Sequence, residues 1–193
     1  MDKVEPGIVA WKKVNMSPKN KFKRVENCNY AVTLAKQMKF SMVNIGGLDI
    51  VDKNKKLILG IIWQLMRRHT INILTSLTPG DKLVEDKEII AWANDKVKAA
   101  GKSTSIRSFQ DSSIGSGVYL LDLCSAVESR AVDPSIVTSG GSPDAQLNNA
   151  KYAISVARKM GACVFLTPED IFEVKSKMVL MFVASLWSCS LTM

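Results

Sequence analysis

The stretch Asp52–Arg68, DKNKKLILGIIWQLMRR, decides the fold. Between Leu57 and Met66 apolar side chains fall on every side of a helical projection, interrupted by Gly60 and Gln64 alone. This pattern predicts a helix surrounded by protein, the spine of a small helical domain. Asp52 and Asn54 are candidate N-caps, and Arg67 and Arg68 place positive charge near the far end, where the helix dipole favours cations. The apolar run is well short of the roughly 20 residues that cross a bilayer, so it predicts a core helix and no membrane anchor.

Working outward, Pro6, Gly7 and Pro18 surround a short apolar cluster, Ile8, Val9 and Trp11, which reads as an element end followed by a loop. A broad apolar face predicts a helix over about Phe22–Phe40, and Gly46-Gly47 marks a turn before the spine, which extends to about Leu74. Thr78-Pro79-Gly80-Asp81 breaks the chain there. Beyond it, helices are predicted over Glu85–Ala100, with Gly101 as the carboxyl cap, and over Gly115–Val127, about Ala145–Met160 and about Lys175–Ser188. Leu166-Thr167-Pro168-Glu169-Asp170 is a turn carrying its own helix-start signal. No strand is required, and the expected class is all-α.

The 193-residue chain carries a net charge of +8 and is 47% hydrophobic, enough for a packed core. The charge is unevenly divided. Residues 1–80 hold 14 Lys/Arg against 5 Asp/Glu, whereas residues 81–193 hold 12 against 13. A basic first half implies an acidic partner: nucleic acid, an anionic lipid surface or an acidic protein. With the change in charge, the Thr78–Asp81 break divides the chain into expected domains 1–80 and 81–193. Cys28, Cys124, Cys163 and Cys189 form no C-x-x-C pair, which predicts free thiols in a reducing compartment and no zinc site. Neither terminus carries a signal region or a spanning segment, so a cytosolic protein is expected.

The chain repeats itself. Asn27-Cys28-Asn29-Tyr30-Ala31-Val32 recurs as Asn149-Ala150-Lys151-Tyr152-Ala153-Ile154, and Asp49-Ile50, Lys56, Leu59 and Leu65 recur as Asp170-Ile171, Lys177, Leu180 and Leu186. The second copy has two predicted helices ahead of its matched part that the first lacks. The first module is therefore expected to be truncated, with apolar surface left open on the spine.

These strings resemble the calponin-homology fold, and within it the fimbrin/plastin family of actin crosslinkers. The resemblance rests on Val25-Glu26-Asn27-Cys28-Asn29, Phe40-Ser41-Met42-Val43-Asn44-Ile45-Gly46-Gly47, Leu57 to Arg67, Ala99-Ala100-Gly101-Lys102-Ser103 and Pro168-Glu169-Asp170-Ile171. Ile50 to Lys56 and Ser155 to Lys159 are most similar to plant-type fimbrins. It implies tandem calponin-homology domains, the first lacking its amino-terminal helices, equivalent to the family's second actin-binding domain. It further implies binding to the side of filamentous actin in the cytoplasm, with Lys56, Leu57, Gln64, Arg67 and Arg68 on the spine and Lys96 and Lys98 on the next helix as contacts. Ser188 to Met193 departs from the family's longer tail, which implies a fragment, a partial gene product or a short isoform.

Five of these contacts have a plainer reading: core packing for Leu57, as for Trp63, a solvated face for Lys96 and Lys98, and helix-end electrostatics for Arg67 and Arg68. Asn27 and Asn149 read as loop hydrogen-bonding residues. His69 is the sole histidine, without a catalytic partner at informative spacing, and Lys102-Ser103 lacks the glycine pattern of a phosphate loop. No enzyme, cofactor, metal or membrane partner is expected. The alternatives to actin binding are a module that pairs with the remainder of a fimbrin chain or a homologue, or a non-binding one. Nucleic-acid binding stands third, lacking stacking motifs or a reading helix.

Overall fold

The computed structural model describes residues 1–78 and 83–192. Eight α-helices follow one another: α1 Lys21–Gln37, α2 Gly47–Val51, α3 Lys55–Leu77, α4 Asp86–Ala99, α5 Val118–Val127, α6 Pro143–Lys159, α7 Pro168–Phe172 and α8 Ser176–Ser190. Single 3₁₀ segments lie at Trp11–Lys13 and Ser112–Ser116, and the described residues contain no strand. Packing gathers the chain into two compact units, Met1–His69 and Thr70–Met193. The sequence boundary at residues 80 and 81 lies outside the described residues. The charge division is untouched by the difference, because residues 70–80 carry no charged side chain.

In the first unit the Asn20 side chain caps α1 by accepting from the Lys23 N–H at 2.9 Å. The helix stops earlier than its apolar pattern suggests, because Lys39 turns into the left-handed region at φ 60° and the Phe40 N–H returns to the Ala35 carbonyl. Gly46-Gly47, expected as a turn, opens the short helix α2. Gly47 is required there: an added Cβ would lie 2.5–2.7 Å from Asn29 and from the Val25 carbonyl. Asn54 caps α3 through Leu57 N–H at 3.4 Å, whereas Asp52 ends α2 and pairs with Lys21 at 2.7 Å.

The second unit repeats this plan with more around it. Asn149, at the position of Asn27, accepts the Thr138 N–H and donates to the Thr138 carbonyl, as Asn27 does with both groups of Asn15. Tyr152 accepts the Asp133 N–H as Tyr30 accepts that of Ala10. Thr167 N–H and Gly46 N–H each reach a carboxylate oxygen three residues on, Asp170 and Asp49, at 2.8 Å. Gly101, at φ 73°, ends α4 with the Lys102 N–H on the Val97 carbonyl.

The helix enclosed by protein is α8, and this corrects the expectation placed on α3. Val179 to Leu186 are all buried, packed against α4, α5 and α7. Trp92 of α4 stacks on Trp187 of α8, with ring centroids 5.2 Å apart and planes 6° from parallel. On α3, Ile61, Ile71 and Leu74 are buried, but Leu59 is 65% and Ile62 45% exposed. Their counterparts Leu180 and Val183 are 4% and 0% exposed. Among the described residues, the first unit has no helices in the places of α4 and α5.

Several carboxylates of the second unit sit below their ordinary range. Burial alone would raise Asp170, but the Thr167 N–H and the Lys175 ammonium, at 2.8 and 2.9 Å, outweigh it. Ser113 hydroxyl and backbone groups hold Asp111 down, and those of Ser135 do the same for Asp133. Each folded pKa lies below its unfolded value, so the stabilisation is present above the unfolded Asp value of about 3.9 and is lost as pH falls. The urea midpoint of the second unit should therefore drop on acidification below that value, and Asp170→Asn should flatten the drop.

Candidate functional site

Lys56 lies in the first turn of α3 with its side chain exposed beside exposed Lys55. Leu57 is half-buried. Gln64 is committed to the fold: its Oε1 accepts the Ser41 N–H at 2.7 Å while its Nε2 donates to the Ser41 carbonyl at 3.1 Å. One turn later Arg68 donates to the Met38 carbonyl at 2.9 Å, stands 6.0 Å over the Phe40 ring and faces Glu5 at 3.9 Å. Gln64 and Arg68 thus clamp the segment after α1 onto α3. Arg67 is half-buried.

On the second unit Lys96 and Lys98 are exposed in the last turn of α4, where their charge also suits the helix dipole. Spaced by two, they point to different sides of the helix. Lys56, Lys96 and Lys98 are therefore the expected contacts with free, exposed cationic heads, while Gln64 and Arg68 are occupied within the fold.

The sequence reading missed the exposed apolar pair Leu59 and Ile62, which share a face of α3 with Lys55. A helix apolar on all sides gives no local sign of which side lacks a neighbour. It also passed over Lys151, Arg158 and Lys159 on α6. Cys124 is buried and its thiol is pushed up to about 12 by desolvation. Among the described residues no three metal-ligating side chains gather, and no helix is long and apolar enough to cross a membrane.

Two copies of a module in which a long helix, a short helix and a closing helix are fixed by the same asparagine and tyrosine bonds define a tandem of calponin-homology domains. The chain belongs to the calponin homology (CH) domain family, whose model matches residues 1–71 and 83–191. Within that family it is similar to the fimbrins and plastins. Fimbrin of Dictyostelium discoideum is 50% identical over 99% of this chain and 32% of the relative, and Fimbrin-3 of Arabidopsis thaliana 52% identical over 97% and 27%. Plastin-3 of Bos taurus is 47% identical over 92% and 29%. The crystal structure of the actin-crosslinking core of Schizosaccharomyces pombe fimbrin matches with a TM-score of 0.79 at 42% identity, covering 97% of this chain and 40% of that one. The chain thus spans about a third or less of the curated relatives' length.

Proposed function

We propose that the chain is a non-enzymatic, actin-filament-binding segment equivalent to the second actin-binding domain of a fimbrin, comprising the latter part of the third calponin-homology domain and the fourth. The match to the actin-crosslinking core over nearly the whole chain carries this reading. Filamentous actin in the cytoplasm is the partner. The basic first half supplies encounter with an acidic filament, and exposed Lys56, Lys96 and Lys98 are the contacts. One such site binds a filament; bundling needs two sites able to engage together.

Co-sedimentation with filamentous actin tests the reading. Because Arg68→Ala would also release the Met38 segment, the informative variants are Lys56→Ala and the pair Lys96→Ala/Lys98→Ala. Each should weaken saturable binding roughly fivefold, about 1 kcal/mol, with a smaller difference at higher salt. A folded chain that stays in the supernatant at all actin concentrations refutes the proposal.

A second reading, pairing with a homologous chain, is favoured by the exposed Leu59 and Ile62 where their repeat counterparts are covered. In sedimentation velocity the chain should then associate with rising concentration, and Leu59→Ser/Ile62→Ser should return it to monomer. A monomer at every concentration removes this reading.

A further inference from the structure

The two copies of the module differ along one line. In the first, α2 sits directly on α1: the Gly47 N–H donates to Asn29 Oδ1 at 2.8 Å, and no Cβ fits at that position. In the second, the corresponding residues are Pro168 and Lys151. Proline has no N–H to give, so that bond is missing from the second module, although α7 still packs on α6. A groove of about 560 Å³ lies at this junction, with Lys151, Ser155, Arg158 and Lys159 of α6 along one wall and Thr167 and Pro168 along the other. Ile154 and Leu166, both buried, form an apolar floor.

The wall is basic although the second half of the chain is near neutral. Among the described residues Lys151 and Lys159 form no ion pair within 4.0 Å, and the exposed Glu169 lies near enough to Lys151 for that charge to help lower its carboxyl. Asp170 is already held by Thr167 and Lys175. Arg158 is exposed and donates from Nε and Nη2 to the Val164 carbonyl at 3.3 Å, which leaves its Nη1 for a ligand.

Lys151 and Arg158 are seven residues apart, about 10 Å along α6, too far for one phosphate to engage both. In an extended peptide, residues i, i+2 and i+4 share a face over about 13 Å, within reach of flexible lysine arms. We propose that this groove binds an extended acidic peptide segment of another protein, with an apolar residue on the Ile154–Leu166 floor between two carboxylates. One carboxylate pairs with Lys151 and the other with Arg158 and Lys159. Ser155, exposed on α6, is placed to bond the peptide backbone.

The test needs no actin. A fluorescently labelled, capped pentapeptide with glutamate first and fifth, leucine third and serine between is titrated with the full chain and followed by polarisation. Saturable binding is expected. Serine for leucine in the peptide, or Lys151→Glu/Lys159→Glu in the protein, should each weaken it about tenfold or more. A second variant, Lys151→Asn/Pro168→Gly, reinstates the pair that closes the first module and should abolish binding while helical content is retained. Absence of binding by the folded chain, indifference to both variants, or equal binding of the serine peptide overturns the proposal. So does displacement of the peptide by inorganic phosphate at matched ionic strength, which would mark a simple anion site.

Discussion

Asn149→Leu should lower the unfolding free energy of the second unit by about 3 kcal/mol, because it removes a buried side chain that bonds one part-buried backbone N–H and two carbonyls. Asn149 is 1% exposed. Its Oδ1 accepts from the Thr138 N–H and hydroxyl at 3.0 and 3.1 Å, and its Nδ2 donates to the carbonyls of Ser116 and Thr138, both at 2.9 Å. Leucine matches the size but leaves that N–H and both carbonyls without this partner. There is also no slack beside it: a Cβ on Gly117, which stands at φ 75°, would lie 2.7 Å from the Asn149 Cβ. Asn27→Leu provides the control, since Asn27 is half-buried and serves Asn15 alone, so about 1 kcal/mol is expected. Urea unfolding of both variants with a common slope measures the difference. Equal losses would mean that burial of the asparagine is not what makes it costly.

This pair also shows what the sequence disclosed. The recurrence of Asn27 and Asn149 pointed to loop hydrogen bonds, since asparagine presents a donor and an acceptor that match a backbone N–H and carbonyl. Helix existence was equally readable from apolar spacing, and Gly101 from its place after an amphipathic run. Ends were less readable. Lys39 makes the left-handed exit from α1 that glycine usually makes, and nothing local marks a lysine for that conformation.

Enclosure was readable from the unequal repeat, which left the spine short of covering helices, and not from the apolar runs themselves. The runs in α3 and α8 are both apolar on every side, yet only α8 is covered, because α4 and α5 lie against it. The Trp92–Trp187 stack joins residues far apart in sequence, and no periodicity announces it. The same limit affected the candidate site. Gln64 and Arg68 are implied as contacts by the family resemblance, but their heads meet Ser41 and Met38 on a segment that returns to α3 only in the folded chain. Lys56, Lys96 and Lys98 remained exposed because lysine heads keep to water unless a specific partner meets them.

The contrast between the two closing helices leads to the largest effect. Phe182→Ala should cost about 4 kcal/mol, the middle of the range for a deleted core aromatic. Phe182 is fully buried at the middle of α8, with neighbours on all sides from Val179 to Leu186 also buried, so the cavity cannot be filled by small movements. Its repeat counterpart is Ile61 on α3, flanked by the exposed Leu59 and Ile62. Ile61→Ala should cost nearer 2 kcal/mol, since water and mobile side chains can occupy the space. Hydrogen exchange read by mass spectrometry separates the two helices: Phe182→Ala should speed exchange in α4, α5 and α8 together, whereas Ile61→Ala should act within the first unit. If the two substitutions cost the same, α3 is as enclosed as α8. The open apolar face that supports pairing with a homologous chain would then not exist.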